Sequence, residues 1–415
     1  MPKINQNQNW DIIVAGGGPA GFFAAIRCAE LNPNLRVLIL ERASQTLGKV
    51  IISGGGRCNV THACFDPAQL ITFYPRGANE LRGAFTRFQP ADTVKWFESR
   101  GVKLKTEADG RMFPVTDSSG TIAECLRESA MKTGVGVSTG MSLLQVEKGL
   151  RGGFRLQLRS EAQVFYLSTK KLLIATGSDP KTREIVQSLG HSITEPVPSL
   201  FTFNIKDKRI DGLAGVAVDN VTLKMESITQ RGPVLITHWG LSGPAVLRLS
   251  AWGARELHAM KYRSALTVNW LDDYKHDAAL EVLQRSKDWH ENARKKVSSQ
   301  PAFSQIPVRL WKQLTHFIGE KTWGDISKAD LRKLAEELTS GEFTIEGKGQ
   351  FKEEFVTCGG VRLNEVDFKT MQSRMVENLF FAGEVLDIDG ITGGFNFQSS
   401  WTTGWLAGSA LAERS

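Results

Sequence analysis

The chain has 415 residues, 41% hydrophobic and 23% charged, an ordinary globular composition whose length calls for two or three domains. Its formal net charge is +7, but Lys and Arg are scattered, with only short clusters at Lys206/Lys208/Arg209 and Arg294/Lys295/Lys296, so a nucleic-acid partner is not expected. No apolar run reaches membrane-spanning length, and Met1–Asn9 is polar and unlike a secretory signal, so no membrane partner is expected and the cytoplasm is the expected location.

From the N-terminus, Trp10–Ala15 is a predicted strand, followed by a glycine turn, a helix from about Pro19 to Leu31, a break at Asn32–Asn34, and a strand Arg36–Leu40 ending in Glu41. This is a βαβ start. Residues 44–90 are rich in Gly, Arg and aromatics and read as long loops with short helices. Helices are expected at Ala91–Arg100 and Thr121–Lys132, and strands at Val135–Thr139, Leu143–Glu147, Phe154–Leu158, Val164–Leu167 and Lys171–Ala175. After Glu195-Pro196-Val197-Pro198 come short strands at Phe201–Ile205, Leu213–Val218, Val221–Met225 and Val234–Thr237, a helix from Ser242 to about Leu257, and a strand at Leu266–Trp270. A polar helical stretch runs from about His276 to Thr339, and α/β character returns with a strand Asn378–Phe381 and a helix from about Phe395 to Glu413. The expected fold class is α/β: a doubly wound, Rossmann-like domain from 1–195 and 346–415, interrupted by an inserted domain at 196–345. The insert is expected to be β-rich over about 196–270, with a helical subdomain over about 271–340.

The strongest motif is Gly16-Gly17-Gly18-Pro19-Ala20-Gly21, a G-x-G-x-x-G between strand and helix. Gly16 permits the tight turn, Gly18 lets a pyrophosphate approach the backbone, and Gly21 lets the helix pack on the sheet. Glu41, twenty residues past Gly21, suits ribose hydroxyls and repels a 2′-phosphate. A second cluster, Ser53-Gly54-Gly55-Gly56-Arg57-Cys58-Asn59, suits a loop packed against a flat ring or ribityl-phosphate, and Ala175-Thr176-Gly177 forms a turn after a buried strand. Near the C-terminus, Ala382-Gly383-Glu384 and Gly390-Ile391-Thr392-Gly393-Gly394-Phe395-Asn396 follow a strand and lead into a helix. A simple NAD dehydrogenase has no need of this late segment, whereas an FAD domain anchors its extended cofactor at both ends of the chain. The cofactor-binding candidates are Gly16, Gly18, Pro19, Ala20, Gly21, Glu41, Arg42, Lys49, Ser53, Gly54, Gly55, Arg57, Cys58, Asn59, Leu143, Ala175, Thr176, Gly177, Gly383, Glu384, Gly390, Gly393, Gly394, Phe395 and Asn396.

Four segments together carry a family resemblance. They are Gly16–Gly21; Gly48-Lys49 through Ser53 to Thr61; Thr237-His238-Trp239-Gly240-Leu241-Ser242-Gly243-Pro244; and Val356–Val361 followed by Phe380 to Gln398. With them the chain resembles, over essentially its full length, the BaiN-like NAD(P)/FAD-dependent oxidoreductases, some labelled aminoacetone-oxidase-family flavoproteins. The resemblance implies FAD and a β-rich insert with a helical subdomain. Phe395 stands where the family pattern usually has tyrosine. Activities attached to the family differ, so the resemblance fixes the cofactor better than the reaction.

Several features narrow the chemistry. No second G-x-G-x-x-G occurs mid-chain, so NAD(P)H is expected only as a transient electron donor. The cysteines Cys28, Cys58, Cys64, Cys125 and Cys358 form no C-x-x-C pair, and Cys58 reads as a small wall residue rather than a redox partner of Cys64. His62 reads as a loop hydrogen-bonding residue, Asp389 as a turn cap, and no metal is expected. His238 is the catalytic candidate: its loop is expected to face the isoalloxazine and the imidazole to move a proton, the alternative being that His238 and Trp239 pack the insert's core. The leading expectation is an FAD-dependent oxidoreductase acting on a small organic substrate through flavin N5, as an NAD(P)H-linked reductase, with a small-amine oxidase using oxygen as the alternative. A flavin-dependent RNA-modification protein and a non-catalytic flavin-binding module are the readings from other classes.

Overall fold

A computed structural model describes residues 10–149, 152–161, 163–272, 274–349 and 356–413; the polar Met1–Asn9 lies outside them. Two compact units result, one from Met1–Pro196 with Thr357–Ser415, the other from Val197–Val356.

The first unit is built on a sheet whose centre is Trp10–Ala15. Every residue of that strand after Trp10 is buried, as a strand covered on both faces requires. Val37–Leu40 and Val164–Ile174 flank it in parallel, with Ile13 opposite Leu38 on one side and Leu172 on the other. Gly136–Ser138 and Leu379–Phe381 extend the parallel set outward, through Ile39 opposite Val137 and Leu173 opposite Phe380. This is the Rossmann-type arrangement. The strands expected at Val164–Leu167 and Lys171–Ala175 are one strand of 11 residues. Its first part alternates exposed and buried while pairing antiparallel with Phe154–Arg159; from Lys171 onward it is continuously buried among parallel neighbours. The change of environment, not a chain break, produces the change of pattern.

The helix Pro19–Leu31 packs closely on the C-terminal helix Phe395–Leu411. A Cβ on Gly404 would lie 2.6 Å from the Ala20 carbonyl oxygen, and one on Gly408 would strike Ala24. Small residues therefore set the helix separation, as close backbone approach demands.

The second unit holds a seven-stranded sheet whose described pairings are antiparallel. Its helices His276–Asp288, Val308–Leu314 and Lys328–Ser340 form an excursion between two neighbouring strands, Ser264–Asn269 and Gly341–Ile345, where Leu266 opposes Phe343. Trp270, Trp311 and Trp323 are fully buried in the core shared by sheet and helices. The helix expected over Ser242–Leu257 is two, Pro244–Trp252 and Ala254–Ala259, parted at Gly253, where a Cβ would lie 3.2 Å from the Leu249 carbonyl oxygen. Ser242 ends a strand, and Gly243 at φ 98° is the N-cap.

Candidate functional site

The glycine turn follows the central strand. Gly16 has φ 113°, and a Cβ there would strike the Ala175 carbonyl, so the turn lies directly on Ala175-Thr176-Gly177. A Cβ on Gly21 would strike the Gly16 carbonyl, which fixes the helix on the turn. At Gly18, by contrast, a Cβ would meet nothing within 4 Å. Gly18 is the N-cap and makes no side-chain cap hydrogen bond; Pro19 opens the helix without an N–H. The first-turn N–H groups of Ala20 and Gly21 have no intrahelical acceptor and, with the helix dipole, favour an anion.

Glu41, half-buried at the end of its strand, accepts hydrogen bonds from the Gly17 N–H at 2.8 Å and the Ala43 N–H at 2.7 Å. It shapes the turn as well as offering an acceptor. Arg42 pairs with Asp179 at 2.6 Å. The Met141 N–H donates to the Glu41 carbonyl at 2.8 Å, which brings the start of the Ser142–Lys148 strand, and half-buried Leu143 on it, to this side.

The second glycine cluster lies at the end of a short helical span, Gly48–Gly56, whose last residues leave helical geometry. Ser53 departs from helical geometry with ψ 149°, and Gly54, Gly55 and Gly56 follow at φ 57°, 67° and 84°. Three left-handed residues in succession require glycine. Around Gly55 and Gly56 a Cβ would meet nothing, so bare backbone faces open space. Arg57 pairs with Glu107 and Asp117 and lies 4.0 Å over the Phe113 ring, so its charge is spent on neighbouring residues. Cys58 is fully buried, and burial pushes its thiol up to about 12. It is a packed thiol, not a nucleophile.

The late segment closes on both clusters. The Gly383 N–H donates to Thr403 Oγ1 at 3.0 Å, and a Cβ on Gly383 would lie 2.8 Å from Ala20 Cβ. Glu384 forms an ion pair with Lys49 and accepts from the Thr357 N–H at 3.1 Å, while a Cβ on Gly177 would stand 3.5 Å from Glu384 Oε2. Lys49, Gly177 and Glu384, from three separate segments, therefore meet. With the Asn59 amide oriented to satisfy both its ends, its oxygen accepts from the Gly394 N–H at 2.9 Å and its nitrogen donates to the Thr61 carbonyl at 2.9 Å. The Asn396 side chain exchanges two hydrogen bonds with the Gly390 backbone, at 2.9 and 2.8 Å, and so closes the Gly390–Gly394 loop on itself. Phe395, Phe73 and His62 form a three-ring cluster, with Phe395 stacked 4.4 Å from Phe73 and 4.8 Å from His62 and the latter two 5.8 Å apart. His62 makes a loop hydrogen bond, Nε2 to the Asp109 carbonyl at 3.1 Å, and burial lowers its pKa, which favours the neutral ring.

Three residues that sequence reasoning missed hold this loop. Tyr74 donates its hydroxyl to the Phe395 carbonyl at 2.6 Å, Arg76 pairs with fully buried Asp389, and Phe73 supplies the stack. Asp389 is thus a buried ion-pair partner, not simply a turn cap. Only the aromatic and basic run Phe73-Tyr74-Pro75-Arg76 could have drawn notice, and no spacing rule connects it to Asp389.

In the second unit, His238 and Trp239 form the two-residue turn between the strands Ile228–Thr237 and Gly240–Ser242. Both are exposed, Trp239 by 43%, so they do not pack the core.

The first unit's residues fit a flavin dinucleotide. The space at Gly18 is open, the Thr176 hydroxyl is buried without a hydrogen-bond partner, and the Gly55–Gly56 backbone is bare. An extended ligand with a pyrophosphate, hydroxyls and a flat ring answers all three. Among the described residues, no cluster of His, Cys, Asp and Glu could hold a metal, and no helix is long and apolar enough to cross a membrane.

Comparison with known proteins agrees with this geometry. Residues 10–410 match the family described as HI0933-like protein Rossmann domain. The chain belongs to that family. It is an FAD-dependent oxidoreductase family. A 3-dehydro-bile acid delta(4,6)-reductase of Clostridium scindens is 27% identical, the match covering 97% of this chain and 98% of the relative. A ribosomal RNA dihydrouridine synthase of Escherichia coli is 28% identical, with 97% and 98% covered. Among solved structures, a 3-ketosteroid-delta4-(5alpha)-dehydrogenase from Rhodococcus jostii is similar in fold at 14% identity and a TM-score of 0.52, covering 100% of this chain and 99% of that one.

Proposed function

We propose that this chain is an NAD(P)H-linked flavin reductase that saturates a carbon–carbon double bond conjugated to a carbonyl in a small organic substrate. The observation that carries the reading is that two relatives aligned over 97% of the chain are both named for saturating such a bond, one in a 3-dehydro-bile acid and one in uridine. In each substrate class a hydride adds at the carbon remote from the carbonyl and a proton follows at the adjacent carbon.

Bound FAD would supply hydride transfer at N5. The chain's own groups do the rest. The Ala20 and Gly21 N–H groups and the open space at Gly18 would receive the pyrophosphate, and Glu41 would accept from ribose hydroxyls. Glu384, held by Lys49, and the Thr176 hydroxyl would hold the ribityl hydroxyls, and the bare backbone of Gly55 and Gly56 would accommodate the ring. Phe73, Tyr74 and Arg76 keep the Gly390–Gly394 loop in place. His238, exposed in the turn between its two strands, is our assignment for the proton donor to substrate. The sequence has one G-x-G-x-x-G and the second unit's sheet is antiparallel, so the nicotinamide nucleotide would visit without a nucleotide-binding domain of its own.

The dihydrouridine synthase relative favours a second reading, in which the same chemistry acts on uridine in RNA. The test of the reductase reading is anaerobic titration of the purified protein with NADH, NADPH and small amines. Bleaching of the flavin by a nicotinamide nucleotide supports the proposal; bleaching by amines alone overturns it in favour of an oxidase.

A further inference from the structure

His191 belongs to no motif and lies outside the cofactor candidates, yet its side chain is fully buried and fully bonded. Its Nδ1 is 2.9 Å from Glu365 Oε2, its Nε2 is 2.9 Å from Ser373 Oγ, and its ring meets Phe381 edge-on at 4.9 Å. Counting donors and acceptors fixes its proton. Ser373 Oγ already accepts from the Met375 N–H at 3.0 Å and the Val376 N–H at 2.8 Å. A hydroxyl oxygen has two lone pairs, so Ser373 has only its O–H left to offer, and Nε2 must be the bare acceptor. Nδ1 then carries the hydrogen and donates to Glu365, which also accepts from the Ser192 N–H at 2.9 Å. A second proton on His191 would aim an N–H at an oxygen with no free lone pair.

The position matters. His191 follows the helix Pro180–Ser188, which begins just after the Ala175-Thr176-Gly177 turn. Phe381 ends the strand that leads into Gly383 and Glu384. We propose that His191 is a positioning residue: a neutral imidazole that clamps these two cofactor-facing segments together and loosens them when protonated, so that acidification releases FAD. The FAD consequence rests on the cofactor assignment above.

The charged groups bearing on the ring are Glu365 and Lys148. Burial pushes the imidazole below its ordinary value and Lys148 adds to this, against the opposing pull of Glu365. The sign follows. A histidine whose folded pKa is lowered costs nothing above its unfolded value of about 6.5, and the folded state loses stability as pH falls below that.

The experiment uses the FAD-loaded protein. NMR titration of the unmodified protein is expected to show His191 neutral down to at least one pH unit below the ordinary ~6.5. Titration at the ordinary value overturns the proposal. FAD release, followed by flavin fluorescence from about pH 8 to about pH 5, is expected to accelerate at least ~tenfold in the wild type. His191→Asn keeps a donor toward Glu365 and cannot titrate, so its release is expected to lose most of that acceleration. Equal acceleration in the variant, or a flat wild-type profile, overturns the proposal. A protein that carries no FAD even at about pH 8 would instead refute the cofactor assignment, leaving the NMR result to judge the clamp.

Discussion

Lys49 and Glu384, 335 positions apart, form an ion pair that joins the start of the second glycine segment to the turn after the late strand. The Lys49 side chain is 55% exposed and that of Glu384 19%, so the pair itself stabilises the fold by no more than about 1 kcal/mol. Its larger role is to hold the Glu384 carboxylate beside Gly177. Glu384→Gln should therefore move the thermal midpoint by only a few degrees while weakening FAD about tenfold. Equilibrium FAD titration beside calorimetry reads both quantities.

Gly18 and Gly21 should separate binding from folding. Gly18 has φ −89°, which any residue adopts, and a Cβ there meets nothing within 4 Å. Gly18→Val should leave the apoprotein's urea midpoint unchanged and abolish FAD uptake. A Cβ on Gly21 would strike the Gly16 carbonyl and lie 3.2 Å from a Val14 methyl, so Gly21→Val should lower the urea midpoint as well.

These glycines were legible in the sequence because each answers a local need: a turn, a close approach, or a left-handed residue. Glu41 was legible through its spacing from Gly21. Arg76 and Asp389 were not, lying 313 positions apart with no pattern linking them. Nor was the clamp of His191, Glu365 and Ser373, whose members lie 174 and 182 positions from His191. The two hydrogen bonds between the Asn396 side chain and the Gly390 backbone are likewise invisible to composition. Motif reading finds what the backbone requires; tertiary partners need coordinates.

Arg76 should be the costliest loop residue to lose. Asp389 is fully buried, and removing its partner leaves a carboxylate in the interior. Arg76→Ala should destabilise the protein by about 3–5 kcal/mol, and Asp389→Ala in the same chain should recover part of that loss. A urea double-mutant cycle measures it.

Cys58 should prove chemically silent. With its thiol pushed up to about 12 and no exposed surface, it should resist alkylation in the native protein at neutral pH and react only on unfolding. Cys58→Ala should retain FAD and turnover. Mass spectrometry of iodoacetamide-treated protein, native and unfolded, gives the answer.

The central claim is reduction of a conjugated carbon–carbon bond, and the re-oxidising half-reaction tests it most directly. The flavin would be reduced anaerobically by light with a sacrificial amine donor such as EDTA, so that no nicotinamide donor is presumed, then mixed with a 4-ene-3-one steroid or another conjugated enone, with uridine-containing RNA, and separately with oxygen. The account predicts that a conjugated enone restores the oxidised flavin spectrum without oxygen and that the recovered product carries a saturated bond. Re-oxidation by oxygen alone, with every conjugated acceptor returned unchanged, would contradict it.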